Sequence, residues 1–229
     1  MRNVATSGKR IGYGWLYNWY AVTHASQLAP DGWRVPSDAE WTAMADHLIA
    51  THGHITSSTV GGALKSTRNE WLPPNTGATD EFLFSVFPNG WRLPNTGFAY
   101  LRAYGFFWTA TEGFNTPWGA YGISFYYLNN ALSTMVVSKT YGRGVRCIQD
   151  KSVGESDGDT GTLTDIEGNI YRWVVIGDYR WMAENLRTTK YRNGNTIPEI
   201  TDNTDWGNDT TGARCAYNND HYFVYPPNI

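Results

Sequence analysis

Leu28-Ala-Pro-Asp-Gly-Trp-Arg-Val-Pro-Ser-Asp-Ala-Glu-Trp41 contains a helix start written out in order. Pro36 stops the preceding segment from running on, Ser37 is a good N-cap, and Glu40 stands three residues further, where its side chain can return to the cap N–H. Trp41, Met44, Ala45, Leu48 and Ile49 then recur at i, i+3, i+4, i+7 and i+8, so the spacing predicts a helix over 38–50 with one apolar face. Such a face must be covered, and the surrounding text offers short strands to cover it. Ile170–Ile176 is β-branched and aromatic between turn formers, and with Tyr179–Met182 it reads as a hairpin. Ile123–Leu128, Thr134–Ser138 and Gly144–Ile148 read as three further strands. The stretch between Pro73 and Pro117 is dominated by Gly, Pro, Asn and aromatic residues; it is long for a loop, and long ordered loops are usually functional. The expected class is α+β: small twisted antiparallel sheets, one or two helices, and long ordered loops.

Composition narrows the function. At 229 residues and 41% hydrophobic the chain can build a real core, but only 17% of it is charged and the net charge is −3, so no basic stripe points to nucleic acid. The 11 Trp and 15 Tyr exceed what a core of this size needs, and rigid aromatic side chains give contact area at low entropic cost, which points to a recognition surface as well as to structural pillars. Met1 to Tyr13 is polar and lacks an apolar stretch, so no signal peptide is expected, and no run is long and apolar enough to insert in a membrane. Ser152-Val-Gly-Glu-Ser-Asp-Gly-Asp-Thr-Gly161 holds one apolar residue and reads as an exposed linker between a long segment, 1–151, and a short one, 162–229. Cys147 and Cys215 are too few for a disulfide framework or a zinc site; they form one bridge or remain two buried thiols.

Longer motifs carry a resemblance. Gly14-Trp-Leu-Tyr-Asn-Trp-Tyr-Ala-Val22, Leu28–Trp41, Pro74-Asn-Thr-Gly-Ala-Thr79 and Gly144-Val-Arg-Cys147 resemble the second half of the Fibrobacter succinogenes major paralogous domain. Thr164–Tyr171, Trp181-Met-Ala-Glu-Asn-Leu186, Tyr191–Pro198, Thr201–Trp206 and Ala213–Asp220 resemble its first half, which here comes second. That family is related to the C-type-lectin and formylglycine-generating-enzyme folds. The resemblance therefore implies a circularly permuted C-type-lectin-like domain, with 152–161 as the join; half-domains completed by neighbouring chains are the alternative.

Candidate chemistry is sparse. Formylglycine-generating relatives use reactive cysteines close together, whereas Cys147 and Cys215 sit among alternating apolar neighbours and read as structural. The five histidines are scattered, with His52 and His54 at a solvated helix end. Asp157-Gly-Asp-Thr-Gly161 has Gly161 and Gly168 where a calcium loop needs ligands, so neither metal nor cofactor is expected. The motifs of calcium-dependent sugar binding are missing from the sequence, and the fold resemblance does not carry that activity with it.

The expected ligand-binding residues lie between the recognisable glycines and tryptophans of 90–146. They are Leu93, Asn95, Tyr100, Arg102, Tyr104, Phe106, Asn115, Tyr121, Tyr126, Asn129, Asn130 and Tyr141, with Phe107, Ile123 and Phe125 assigned to the core. Domains resembling this one serve as variable proteins of diversity-generating retroelements in phages and gut bacteria, where adenine mutation turns an Asn codon into most residues but never Trp, Lys, Glu, Gln or Met. Leu93–Phe107 and His221–Ile229 contain none of those five. The function expected is non-enzymatic binding of a cell-surface protein or glycan, extracellular or on a virion, by a homo-oligomer such as a trimer. A formylglycine-generating-like oxidase and a structural module with no discrete ligand are the rivals.

Overall fold

The computed structural model describes residues 12–224. The polar segment read against a signal peptide, as far as residue 11, and residues 225–229 of the His221–Ile229 window lie outside the described residues. The chain is α+β. Its elements are β1 (Leu16–Tyr17), α1 (Trp19–Val22), α2 (Asp38–Thr51), α3 (Val60–Leu64), β2 (Trp91–Leu93), β3 (Gly97–Ala99), β4 (Tyr104–Glu112), β5 (Gly119–Tyr126), β6 (Leu132–Ser138), β7 (Ile148–Asp150), β8 (Thr160–Thr164), β9 (Ile170–Ile176), β10 (Tyr179–Met182), α4 (Asn203–Asn208) and β11 (Arg214–Cys215). The helices beyond α2 are single turns, which is why periodicity missed them.

Helix α2 starts as its sequence dictates. Ser37 Oγ accepts from Glu40 N, and the Glu40 carboxylate accepts from Ser37 N at 2.8 Å, so two otherwise orphaned N–H groups are satisfied. Its buried face, Trp41, Met44, Ala45 and Leu48, lies between two antiparallel sheets. One is β4-β5-β6, contributing Phe107, Ile123 and Phe125; the other is β7-β10-β9-β8, contributing Ile148, Val174, Ile176 and Trp181. Trp41 touches both: its ring centroid is 5.0 Å from Trp181 and 6.0 Å from Phe107. Phe107, Ile123 and Phe125 are fully buried, as expected.

Both segments contribute to the same sheets. β7, from the first, pairs with β10, from the second, and β1 pairs with β11 through Leu16↔Cys215 and Tyr17↔Arg214. A second apolar cluster likewise mixes Trp15, Tyr17, Trp108, Val145 and Cys147 with Tyr171, Met182 and Leu186.

One expectation needs correction. Gly144–Ile148 is not a continuous strand: Gly144 makes an isolated bridge to Phe107, Ile148 opens β7, and Val145, Arg146 and Cys147 are held between them by side-chain and single backbone bonds. The 152–161 segment is exposed over most of its length. Its acidic residues are nonetheless engaged: Glu155 pairs with Arg180, Asp157 accepts from Gly177 N at 2.8 Å and meets His47 at 2.5 Å, and Gly158 N donates to Val175 O. Of the two alternatives for the cysteines, the structure has the second: Cys147 and Cys215 are both free and buried.

Candidate functional site: an aromatic face

Strand alternation decides what this face contains. Along β4, Phe107 turns toward α2, so Tyr104, Phe106 and Trp108 turn the other way. The register places Tyr126 opposite Tyr104, Ser124 opposite Phe106 and Gly122 opposite Trp108. On this side the rings touch in sequence. Tyr141 meets Trp91 at 5.0 Å, Trp91 stacks on Phe106 at 4.3 Å, Phe106 on Tyr104 at 4.9 Å, and Tyr104 on Tyr126 at 4.3 Å; at the sheet edge Tyr127, which packs against the α2-side core, meets Tyr126 edge-on at 4.9 Å. Tyr100 closes the array, 5.5 Å from Trp91 and 5.3 Å from Tyr104, and remains 52% exposed. Offset and edge-on ring pairs add to stability beyond area burial, so the rings hold one another in place.

Beneath them lies a cation. The Arg143 side chain is fully buried, its guanidinium carbon 4.9 Å from the Phe106 ring, 5.2 Å from Trp108 and 5.4 Å from Trp91. Gly122 makes room for it, because a Cβ there would collide with the guanidinium. Nη2 meets the Met135 sulfur at 3.2 Å, but Nε and Nη1 have no hydrogen-bond partner. Burial pushes the Arg143 pKa down to about 9, and the three π faces are what offsets part of that cost.

The loops around the face are clipped by a second buried cation. Lys65 Nζ donates to the carbonyls of Thr76 at 2.9 Å, Tyr126 at 3.0 Å and Asn129 at 2.9 Å, using all three of its N–H groups. Burial pushes its pKa down to about 8. Thr76 N donates to Tyr127 O, Tyr127 N to Ala103 O, and Leu72 N to Arg102 O, so loops 66–80, 100–104 and 126–130 are bonded to one another. Tyr100 and Arg102, at φ 63° and 68°, hold left-handed backbone that costs non-glycine residues roughly 1 kcal/mol or more each.

Of the twelve expected residues, Tyr100, Tyr104, Phe106, Tyr126 and Tyr141 come together here, with Arg102 and Asn129 exposed at the rim. Phe106 corrects the expectation: it is 2% exposed and supports the face without reaching a ligand. Tyr121 is odd where Tyr126 is even, so alternation turns it to the α2 side. Asn130 packs its amide against Gly77, inside the loop cluster. Leu93 and Asn95 belong to the β2–β3 hairpin beside α4, and Asn115 to the β4–β5 turn with exposed Phe114 and Trp118. The sequence gives no signal for Trp91, Arg143 and Lys65 here: Trp91 comes from a different sheet, and the two cations are buried.

Other chemistry is thin. Burial pushes the Cys147 and Cys215 thiols up, Cys215 to about 12, so neither supplies a thiolate near neutral pH. Among the described residues no cluster of His, Cys, Asp or Glu is placed to hold a metal ion, and no helix is long and apolar enough to cross a membrane.

Small antiparallel sheets around one capped helix, with an aromatic face on one of them, define an α+β scaffold. The chain belongs to the Fibrobacter succinogenes major domain family, whose model matches residues 2–149. No curated protein and no solved structure matches it.

Proposed function

We propose that this chain is a non-enzymatic recognition protein on a C-type-lectin-like scaffold whose two halves stand in exchanged order, binding a protein or glycan on a cell surface through the face centred on Tyr100, Tyr104 and Tyr126. One observation carries the reading: six rings in unbroken contact, running from buried Phe106 to half-exposed Tyr100, beside loops that the Lys65 clip ties to the end of β5. A preordered aromatic surface binds without a large ordering cost, and such residues are the usual hot spots of interfaces. Strain held at Tyr100 and Arg102, on the rim of the same face, is what functional loops tend to keep. The exchanged order is supported by the β7–β10 pairing, which carries the chain across the 152–161 join within one sheet. The setting we favour is adhesion at a bacterial or phage surface. The cysteine-dependent oxidase reading is left with two buried thiols whose pKa values burial pushes up, Cys215 to about 12.

The test is binding of the labelled chain to a panel of bacterial envelopes and immobilised glycans. We expect Tyr104→Ser/Tyr126→Ser to weaken capture at least tenfold, the scale of one hot-spot side chain, about 2 kcal/mol, while the chain still unfolds in one cooperative transition, at a lower temperature because two ring stacks are lost. Unchanged capture by that variant, or capture of the native chain no stronger than that of an unrelated acidic protein, rejects the proposal.

A further inference from the structure

β6 (Leu132–Ser138) is the outer strand of the sheet that carries the aromatic face. Among the described residues it pairs with β5 alone, and no strand or isolated bridge runs along its far side. Every second residue of such a strand turns its N–H and C=O outward, which makes it a template for a further strand.

Proteins guard such an edge with charge, proline or a bulge. β6 has none of the three. Its register against β5 is continuous from Gly119↔Ser138 to Phe125↔Leu132. From Gly113 to Ser138 no residue is charged and none is histidine, in a chain where 17% of residues are charged. Ser133 and Thr134 are exposed, and Met135, Val136 and Val137 are partly so. Large exposed side chains flank both ends. Phe114 and Trp118 stand where β6 finishes, with Lys139 N donating to Trp118 O at 3.0 Å; Leu128 stands in the turn where it begins. That turn is held in place, because Gly62 N of α3 donates to Asn130 O at 2.8 Å. An uncharged patch with aromatic residues and Met has the composition of an interface core.

The same features select the partner. A charged strand would bring groups that nothing between 113 and 138 can pair. β8, the outer strand of the other large sheet, is bracketed by Asp159 and Asp165 and lacks this character. A second β6 fits. Laid antiparallel about Met135, it sets Thr134 of one copy opposite Val136 of the other, and Ser133 opposite Val137, the small and β-branched pairs that strands favour. It also brings the Leu128 end of each copy to the Trp118 end of the other, which a parallel pairing does not. Ser133, Met135 and Val137 oppose Ser124, Gly122 and Ala120, on the aromatic side of the sheet, and opposed residues of an antiparallel pair share a side.

We infer that β6 is a dimer interface, at which two copies of this chain pair antiparallel through Leu132–Ser138 about a twofold axis at Met135, joining their sheets into one. The axis is perpendicular to the sheet, so both aromatic faces look the same way and a multivalent surface could engage them together. The pairing goes beyond the proposed function and does not depend on what those faces bind.

The test is sedimentation of the full chain combined with hydrogen exchange. We expect twice the chain mass of 25.8 kDa in the micromolar range. On dilution to monomer, amides of 132–138 should lose protection while those of β5 keep theirs. Thr134→Lys, at an exposed position, should weaken association at least about tenfold, because like charges then face each other near the axis. An equal mixture with Thr134→Glu should restore it to within about threefold of the native chain, and Tyr104→Ser/Tyr126→Ser should remain dimeric. A monomer throughout the micromolar range, a trimer or larger assembly, or a dimer indifferent to Thr134→Lys overturns the inference. So does a monomer that binds phosphatidylcholine vesicles through Phe114 and Trp118, which means a membrane surface instead. Should Thr134→Lys not fold, exchange in the native chain decides alone: β6 amides unchanged on dilution overturn the inference. A dimer that captures no envelope removes the proposed function and leaves the interface, and a monomer that captures envelopes does the reverse.

Discussion

Arg92, Arg143 and Arg146 are three fully buried guanidiniums, and each is stabilised differently. Arg92 donates to the carbonyls of Ile200, Thr201 and Asp202 and stacks 4.5 Å from the Trp206 ring, tying the β2 strand to the start of α4. Arg143 has almost no hydrogen bonds and relies on aromatic faces. Arg146 crosses between the segments: Nε donates to Asn185 Oδ1 at 2.9 Å, Nη2 to Ser85 O at 2.6 Å, and Nη1 to the carbonyls of Phe84 and Met182. A lysine has one nitrogen and cannot reach these acceptors together, so Arg146→Lys leaves buried carbonyls unpaired. We expect it to cost roughly 2–4 kcal/mol in urea-induced unfolding, as breaking a buried charged network does; a cost under about 0.5 kcal/mol would mean that the cross-segment bonds are not made. Buried arginines of this kind are invisible to hydrophobic periodicity, which expects charge outside. Arg143 therefore went unrecognised, although Gly122, its steric complement, was in plain view in the sequence.

At the scale of elements, the helix was legible, and the contacts of 152–161 were not. Ser37, Glu40 and the 41/44/45/48 stripe are local signals, and each has its expected partner in the structure. The hairpin of β9 and β10 was equally local, with Tyr179↔Ile176 closing it across Gly177-Asp178. Residues 152–161 are mostly exposed, as their composition reads, but their partners, His47, Gly177 and Arg180, lie too far away in sequence to leave a local signal. Those contacts have a pH signature. The bond from Arg180 holds the Glu155 carboxyl below its ordinary range. Burial pushes Asp157 and Glu184 up, but bonds from His47 and Gly177 to the one, and from Arg172 and Arg187 to the other, outweigh it and leave both lowered. Carboxylates with lowered folded pKa values add stability above the unfolded range, near pH 4, and lose it as pH falls through the folded values. The melting temperature should therefore hold from pH 7 to about 5 and fall below that, and Asp157→Asn should make the acid limb shallower. A limb of unchanged slope in that variant would show that the Asp157 contacts contribute nothing.

Taken whole, the molecule separates a packed interior shared by both segments from one face left half-covered. The class of fold was readable because a capped amphipathic helix among short strands admits few arrangements. Which aromatics would gather was only partly readable. Parity along β4 and β5 decides it, and parity needs the register that pairs Tyr104 with Tyr126, a tertiary fact. Hence Tyr126 and Tyr121, alike as residues, end on opposite sides of the sheet. On the proposed function, Tyr100, Tyr104 and Tyr126 serve recognition while Trp108, Arg143 and Arg146 serve folding. The decisive measurement is saturation substitution at these six positions, scored once for protease resistance and once for capture by bacterial envelopes. Most replacements at the three tyrosines should keep protease resistance and lose capture, whereas most replacements at Trp108, Arg143 and Arg146 should lose both. Tyrosine positions as intolerant for folding as Trp108, or capture that survives most tyrosine replacements, would contradict it.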